Sequence, residues 1–534
     1  MSDSIDNAAV SQRSPIPKGW IQLAIVVVSL LTLLWPTPEG MTAPAHRLIA
    51  VTVLMAGFWM FQVLPMAVTS LFPLALFPLL AIQPPAQVSK SYVNDTLFLY
   101  LGGMIVALGI ERWGLHRRIA LTLVGFVGSS PRRLVLGFML TTALLSMWIS
   151  NTACALMMLP IAIALLSIIE EADSTAAGGL RTPAASRLGV PLLLAIAYGA
   201  SLGGMTTIVG TPTNNAAVGI YRDSPGATEI SVAQWLMACA PLGALYIAIA
   251  WFVLTRKLTS STAEDEALDA ELVRRKQQLG RASPAERRIF IVFAATALLW
   301  ITRQPLQFGE VTLLPGWQEC YASLFTWVTQ LANPDAVPFP EGKSISDSTV
   351  VLVAAIALFL IPSGTRDGFG QRVPLMNWET AVRLPWDIIL LFGGGFAIAS
   401  AFGSTGLSAW LGEALRTPLQ GQPVWLVIAI LCGMMTFLTE LTSNVATVTT
   451  LTPTLLALAT ALGIDPRLLL IPATLAASCA FMLPIATPPN AIVFGSGRVT
   501  IRQMAGYGLF LNLIGVPILT LGALFVIRFV MGIP

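Results

Sequence analysis

Charged residues are scarce in this chain of 534 residues. Asp, Glu, Lys and Arg make up 11% of it, and 55% of it is hydrophobic. A soluble domain carries about 25% charged residues, so an ordinary soluble fold is excluded. A formal net charge of +3 offers no strongly basic surface, and we expect no nucleic-acid partner. The composition predicts an all-α polytopic membrane protein in a lipid bilayer.

Cysteine and histidine are also rare. Five cysteines are too few for a disulfide scaffold, and the two histidines, His46 and His116, lack the neighbours of a transition-metal site. The acids within apolar stretches, Glu111, Asp387 and Glu440, form no recognisable catalytic cluster. We therefore expect no transition metal and no enzymatic activity.

Long uncharged stretches dominate what is present. Spanning a bilayer takes about 20 apolar residues, and the windows fit about eleven transmembrane helices. Two windows, 134–169 and 417–464, are unusual because each has a polar tripeptide near its centre. These tripeptides are Ser150-Asn151-Thr152 and Ser443-Asn444-Val445. Each window is compatible with two short spans or with a re-entrant hairpin whose polar tip reaches the middle of the membrane.

Basic residues predict the orientation. Residues 256–288 contain eight Lys and Arg, whereas residues 304–347 contain one. Positive loops stay in the cytoplasm, so the first loop is predicted inside and the second outside. The scheme places the polar N-terminal tail in the cytoplasm and the C-terminus outside, in a multi-pass protein of the cell (inner) membrane.

The chain contains three pairs of similar blocks that occur in the same order in its two halves. The pairs are 101–115 with 393–407, 149–160 with 442–453, and 199–214 with 475–490. In the predicted topology the two halves enter from opposite sides, which makes them inverted repeats. Inverted repeats with interrupted helices are typical of secondary transporters.

Both copies of the last block contain helix breakers. Pro488 and Pro489 cannot donate backbone hydrogen bonds, and Gly210, Thr211 and Pro212 act alike in the first half. A broken helix exposes carbonyls suited to Na⁺ and N–H groups suited to an anion. Since these blocks contain no Lys or Arg, a bound dianion would depend on Na⁺ for its compensating charge. The alternative is that the hydroxyls serve helix packing and the prolines are kinks.

The stretch SCAFMLPIATPPNAIV, with Ser478, Phe481, Pro484, Asn490 and Val493, resembles the C-terminal signature of the divalent anion/sodium symporter family. The motifs SNT, SNV and LHRRIAL (115–121) match this family as well. Its members carry dicarboxylates, citrate or sulfate. The resemblance extends from about Arg47 to the end of the chain.

The resemblance implies an elevator-type transporter that forms a homodimer, with two re-entrant hairpins. A scaffold in each protomer holds a transport domain that slides across the membrane. The implied divisions are a cytoplasmic tail (1–18), scaffold half 1 with an arm helix (19–130), transport half 1 (131–255), a cytoplasmic loop (256–288), scaffold half 2 with an arm helix (289–416) and transport half 2 (417–534).

The resemblance also implies the binding residues. The Na⁺ ligands are Ser146, Ser150, Asn151 and Gly199 at one site and Thr439, Thr442, Asn444 and Ala486 at the other. The substrate-binding residues are Ser150, Asn151, Thr152, Thr211, Pro212, Ser443, Asn444, Val445, Thr487 and Pro488. Val445 departs from the Thr found in many bacterial members, which bears on the choice of substrate.

The leading hypothesis is a sodium-coupled symporter of C4-dicarboxylates such as succinate, malate or fumarate, with Na⁺ as the co-transported ion. A sodium:sulfate symporter and a sodium-independent dicarboxylate exchanger have the same fold and stay open as alternatives. An ion channel built on the broken helices is a more distant alternative.

Overall fold

The structure, a computed structural model, describes residues 18–128, 130–176, 183–258, 262–308, 311–335, 337–339, 345–419 and 421–534. The predicted N-terminal tail lies outside these residues up to position 17. The described chain is mostly helical, as its apolar composition predicts, because a lipid environment requires each backbone polar group to be paired within the protein.

Helices α1 to α14 make up the first part of the chain. They are α1 (Lys18–Leu34), α2 (Ala43–Met60), α3 (Met66–Thr69), α4 (Phe72–Leu79), α5 (Pro85–Lys90), α6 (Asp95–Arg112), α7 (Leu115–Val127), α8 (Pro131–Ser146), α9 (Asn151–Ala176), α10 (Pro183–Gly204), α11 (Pro212–Arg222), α12 (Val232–Thr255), α13 (Thr262–Gln278) and α14 (Pro284–Ile301).

The second part follows two short strands. It consists of β1 (Leu306–Phe308), β2 (Val311–Leu314), α15 (Trp317–Ala332), α16 (Asp347–Leu360), β3 (Pro362–Arg366), β4 (Arg372–Pro374), α17 (Trp378–Ala381), α18 (Trp386–Ser404), α19 (Leu407–Leu419), α20 (Val424–Leu438), α21 (Asn444–Ala461), α22 (Pro466–Ser478), α23 (Pro488–Gly495) and α24 (Ile501–Gly522). Helix α24 continues through a π-helical segment, Ala523–Ile527, into α25 (Arg528–Val530).

Two antiparallel β-hairpins, β1 with β2 and β3 with β4, modify the all-α prediction. Both follow a long helix, α14 and α16, and connect it to the next element. Hydropathy patterns reveal segments that are buried or that face lipid. Strands as short as these, in the connections between helices, give no comparable hydropathy signal.

Among the described residues, five helices are long and apolar enough to cross a membrane by themselves: Ala43–Met60, Pro85–Arg112, Val232–Thr255, Trp386–Ser404 and Ile501–Val530. Several shorter apolar helices accompany them, among them α20 and α22. The figure of about eleven spans stays a prediction, since helices interrupted within the membrane do not reach a full crossing length.

Corresponding elements in the two halves begin at matching positions. Helices α7 and α19 have 13 residues each and start at Leu115 and Leu407, the last residues of the first pair of similar blocks. The residue before each is a glycine in the left-handed region, Gly114 with φ 71° and Gly406 with φ 80°. Glycine adopts this conformation without the Cβ clash that other residues incur. The same local geometry therefore redirects the chain after α6 and after α18.

The loop 256–288 contains helix α13. Its Glu271 side chain accepts hydrogen bonds from Arg274 at 2.6 Å and from Arg275 at 2.8 Å. The hydrogen bond from Arg274, reinforced by Arg275, holds the pKa of Glu271 below its usual range. This helix packs on α7 and α9 and thereby connects the loop to both elements.

Candidate functional site

The first broken helix is closed by the side chain of Asn214. Helix α10 ends at Gly204 and α11 begins at Pro212. The Asn214 amide nitrogen donates to the carbonyls of Gly204 at 3.2 Å, Met205 at 3.0 Å and Thr207 at 2.7 Å. Carbonyls at the end of a helix lack intrahelical partners, and here one buried amide satisfies three of them.

Asn490 closes the second broken helix in the same manner. Helix α22 ends at Ser478 and α23 begins at Pro488. The Asn490 amide nitrogen donates to the carbonyls of Ala480 at 3.0 Å and Leu483 at 3.1 Å. In the paired blocks 199–214 and 475–490, these two carbonyls are the counterparts of those of Gly204 and Thr207. Sequence comparison placed both asparagines at the end of matched blocks, but this closing role requires the coordinates.

The tip of the first hairpin lies between α8 and α9. Ser146 donates to Oδ1 of Asn151 at 2.6 Å, and Oγ of Ser150 accepts from the backbone N–H of Ala153 at 3.2 Å. Ser150 therefore satisfies one of the unpaired N–H groups at the start of α9. The other N–H groups at the start of a helix lack intrahelical partners, and a helix N-terminus favours an anion.

Gly204 is the glycine that the first hairpin requires. A Cβ at this position would lie 2.3 Å from Oδ1 of Asn151, so the absence of a side chain permits the contact. The family resemblance pointed to Gly199, which lies within α10 against the backbone of Met139. Gly204 is the last residue of α10 and adjoins the break, and the spacing of the motif did not reveal its closeness to Asn151.

The tip of the second hairpin lies between α20 and α21. Thr439 donates to the carbonyl of Met435 at 2.9 Å, and the hydroxyls of Thr442 and Thr447 are 2.6 Å apart. Oδ1 of Asn444 is buried and accepts no hydrogen bond from the residues that the structure describes. A buried oxygen without a donor is costly unless a ligand or an ion interacts with it. Asn444, which carries this oxygen, is the first residue of helix α21.

The remaining predicted residues lie in the tips, in the second break and at the starts of α11 and α23. These two short helices, which follow the two breaks, are the stubs of the broken helices. Thr211 and Thr487 are the N-caps of α11 and α23 in the same extended conformation, with φ −142° and −141°. Pro212 and Pro488 are the first residues of these stubs. Ala486 precedes Thr487 in the second break and is buried.

Two further predicted residues lie at the second tip and one lies at the first. Ser443 is the N-cap of α21, and Val445 packs against the cluster that contains Phe396. Thr152 lies in the first turn of α9, half-buried, at the position equivalent to Val445.

Glu440 connects the second hairpin to the second break. Its carboxylate accepts hydrogen bonds from the backbone N–H groups of Met482 at 2.9 Å and Leu483 at 3.0 Å, and from Asn512 at 2.7 Å. Three donors compensate for burying this acid.

The first half makes the corresponding connection without an acid. Extending the alignment of 149–160 with 442–453 towards the N-terminus, without a gap, pairs Met147 with Glu440. Thr207, in the first break, donates to the carbonyl of Met147. Both halves thus attach the hairpin tip to the break at the same position with different chemistry.

The two halves interlock around these tips. Helix α8 packs along α10, and α20 along α22, so each hairpin lies on the broken helix of its own half. The second helix of each hairpin also packs on the stub of the other half, α9 on α23 and α21 on α11. In addition, Tyr198 of α10 donates to the carbonyl of Phe481 in the second break at 3.1 Å. The polar tips and both breaks therefore belong to one packed unit.

The sequence around the two tips and the two breaks contains no fixed positive charge. Residues 146–160, 199–214, 439–453 and 475–490 contain no Lys or Arg. The polar groups that they present are hydroxyls, amides, carbonyls and the N-termini of helices. Such a set suits a small oxyanion together with a hard monovalent cation, because carbonyl and hydroxyl oxygens coordinate the cation while N–H groups meet the anion.

Comparisons with known proteins agree with this chemistry. Residues 17–531 match the family described as the sodium:sulfate symporter transmembrane region. The chain is 35% identical over 505 residues to the sodium-dependent dicarboxylate transporter SdcS of Staphylococcus saprophyticus, and 37% identical to that of Staphylococcus aureus strain USA300. Each alignment covers 94% of this chain and 90% of the relative.

Among solved structures, Neisseria gonorrhoeae MtrF is 12% identical with a TM-score of 0.48, covering 93% of this chain and 97% of that one. The YdaH transporter of Alcanivorax borkumensis is also 12% identical, with a TM-score of 0.46, and the match covers 97% and 98% of the two chains.

Proposed function

Because this chain belongs to the sodium:sulfate symporter family, and its apolar helices make it a multi-pass membrane protein, we propose that it couples Na⁺ to the uptake of C4-dicarboxylates such as succinate, malate and fumarate. The observation that carries this proposal is the full-length similarity to relatives named sodium-dependent dicarboxylate transporters. The paired polar tips, held on two broken helices, supply a matching chemistry.

In this proposal each hairpin tip contributes to one end of the dicarboxylate. Ser150, Asn151 and Thr152 meet one carboxylate, and Ser443 and Asn444 meet the other. Thr211, Pro212, Thr487, Pro488 and Val445 line the pocket. Each carboxylate is met by neutral donors and helix N-termini, which stabilise negative charge without a basic side chain.

We assign one Na⁺ to each tip. The first site takes Ser146, Ser150, Asn151 and Gly199, with Gly204 beside Asn151. The second takes Thr439, Thr442, Asn444 and Ala486. Coupling follows from electrostatics: in a region of low dielectric, a dianion without compensating cations is strongly disfavoured. The loaded transporter would therefore carry both ligands across, and the partly loaded one would not.

The matching starts of α7 and α19, and the equivalent closing of the two breaks by Asn214 and Asn490, support two inverted repeats. We propose that residues 19–130 and 289–416 form a scaffold against which the transport halves, 131–255 and 417–534, slide as an elevator. The distribution of basic residues supports a cytoplasmic N-terminus and an outward C-terminus. A homodimer is part of the same proposal.

Uptake of radiolabelled succinate by proteoliposomes tests this function, with Na⁺ replaced by choline in a parallel sample. We expect accumulation only in an inward Na⁺ gradient, and inhibition by unlabelled malate and fumarate. Equal uptake in choline would contradict sodium coupling. Uptake that requires internal dicarboxylate but no Na⁺ would identify an exchanger, and currents far above carrier turnover would identify a channel.

A sulfate symporter is the second candidate, because the family description itself names sulfate. Sulfate offers four tetrahedral oxygens at one centre, whereas a C4-dicarboxylate presents two separated carboxylates. Two tips that each contribute an Asn suit the separated pair better. Strong competition by sulfate against labelled succinate, together with sodium-dependent uptake of labelled sulfate, would favour the sulfate assignment.

A further inference from the structure

An ion pair joins two segments that belong to different predicted units. Asp95 begins α6, in the predicted scaffold, and pairs with Arg222, the last residue of α11 in the transport half. Ser346 also donates to Asp95 at 2.9 Å. Since Ser346 ends the loop that is predicted to lie outside, this pair lies at the outer face in the same topology.

Both partners have a counterpart in the second half. The alignment of 101–115 with 393–407 continues without a gap to Asp95 and Asp387, near the starts of α6 and α18. The alignment of 199–214 with 475–490 continues in the same way to Arg222, the last residue of α11, and Arg498, shortly after the end of α23. The second pair again combines a scaffold residue with a transport residue, and the predicted topology places it at the cytoplasmic face.

The second pair is open in this structure. Asp387 is exposed and takes part in no ion pair with any residue that the structure describes, while Arg498 has contacts of its own. The stubs next to the two arginines differ in the same direction. A Cβ on Gly219 of α11 would lie 2.5 Å from the ring of Phe396, whereas a Cβ on Gly495 of α23 would meet nothing within 4 Å.

The hairpin tips and breaks show the same asymmetry. Trp148, at the first tip, stacks on Trp300 with ring centroids 6.2 Å apart, whereas its counterpart Leu441 is 71% exposed. Val209, in the first break, is 8% exposed, whereas its counterpart Ile485 is 76% exposed. Three independent pairs of equivalent positions therefore describe one face covered by its neighbours and one face uncovered.

From this asymmetry, and resting on the proposed transport function, we propose that Asp387 and Arg498 form the second of two alternating ion pairs. In the opposite state of the transporter they close the cytoplasmic face, and the Asp95–Arg222 pair is broken. Leu441 and Ile485 become covered at the same time, as Trp148 and Val209 are here. The two pairs make the closed form of each face similar in energy, which a carrier that must visit both states requires.

Cysteine cross-linking tests the proposal in proteoliposomes containing the full chain, with the exposed Cys320 replaced by Ser. An Asp–Arg ion pair holds its Cβ atoms farther apart than the roughly 3.5–4.5 Å of a disulfide, so cross-linking reports two segments that thermal motion brings together from nearby positions. Asp95→Cys/Arg222→Cys and Asp387→Cys/Arg498→Cys should both form disulfides, detected by mass spectrometry of peptides. The crossed pairs Asp95→Cys/Arg498→Cys and Asp387→Cys/Arg222→Cys are matched controls and should not.

To test whether the two ion pairs alternate, Leu441→Cys is added to each double-cysteine variant and labelled with a membrane-impermeant maleimide. Leu441→Cys should label when the first disulfide is formed and be protected when the second is formed. Absence of the second disulfide under all conditions, with and without Na⁺ and succinate, would overturn the proposal. Equal labelling in both cross-linked forms would also overturn it, because the two contacts would then coexist.

Exchanging the charges of Asp387 and Arg498 tests the same pair without cysteine variants, and so covers the case in which a cysteine variant fails to fold. Asp387→Arg or Arg498→Asp alone should slow uptake by about two- to fivefold, the range expected for a partly exposed ion pair. The double exchange should restore most of the rate, and an additive loss would count against the pair. Both disulfides formed in a protein that carries no succinate would refute the proposed substrate and leave the alternation standing.

Discussion

Asn214 and Asn490, buried in opposite halves of the chain, donate to equivalent carbonyls at the ends of the two broken helices. Each closes its break with a single amide. The hydrogen bonds leave Oδ1 of both asparagines buried and without a donor among the described residues. The same residue type thus stabilises, twice, a backbone whose buried carbonyls would otherwise lack these donors.

Replacing Asn214 by Ala should destabilise the protein and reduce transport strongly. The carbonyls of Gly204 and Thr207 lose the Asn214 donor, whereas that of Met205 keeps the Trp235 indole N–H. A buried unsatisfied polar group costs about 1–3 kcal/mol. Thermal unfolding in detergent and succinate uptake measure the two effects. Asn215→Ala is the matched control, since Asn215 is equally buried but its side-chain atoms have no hydrogen-bond partner among the described residues. Equal losses in both variants would contradict the closing role of Asn214.

Asn151→Ala and Asn444→Ala should each abolish sodium-dependent uptake while leaving the unfolding temperature close to that of the parent. Each asparagine is proposed to donate to the anion and to contribute its oxygen to Na⁺, and neither closes a break. Uptake per molecule, normalised to the amount of protein in the vesicle, is the measurement. Uptake at the parental rate in both variants would refute the assigned binding site.

Gly204→Ala should impair transport because the new methyl group would lie 2.3 Å from Oδ1 of Asn151. The asparagine would have to move away from the position where Ser146 holds it. Gly189→Ala, in the same helix, is the control, because its Cβ would meet Leu166 at an ordinary 3.7 Å. The dependence of uptake on Na⁺ concentration should shift to higher concentrations only for Gly204→Ala. An unchanged Na⁺ dependence would place the cation elsewhere.

Glu440→Gln should lower both stability and transport. The carboxylate accepts from three donors, whereas an amide presents one oxygen and would place its own N–H groups against a backbone N–H. We expect a loss of about 1–3 kcal/mol, the cost of leaving buried donors unpaired. Glu39→Gln, at an exposed position, removes the same charge and should have no effect. A stable and fully active Glu440→Gln would show that this connection between hairpin and break is dispensable.

The sequence predicted the family, and the similarity of the whole chain to sodium-dependent dicarboxylate transporters confirms that prediction. It also located the positions of the two tips and two breaks. Proline and glycine act on the backbone within a few residues, and matched blocks reveal positions of equal geometry. For the same reason Asn214 and Asn490 were visible as the shared ends of two blocks.

Contacts between distant segments were beyond the reach of such patterns. Gly204 faces Asn151 at the end of α10, and Glu440 meets Asn512 from a different helix. Which pairs of buried donors and acceptors meet depends on how helices pack, and helix packing leaves little trace in local sequence.

The amino-acid order by itself determined a membrane protein with two interrupted halves whose polar residues recur at equal spacing, since apolarity and helix breaking act locally. Only the tertiary structure decided that these halves are unequal in their surroundings, with Asp95 paired to Arg222 and Asp387 exposed. The two halves share only short similar blocks at equivalent positions. The difference comes from how one body packs against the other, which many distant contacts determine together.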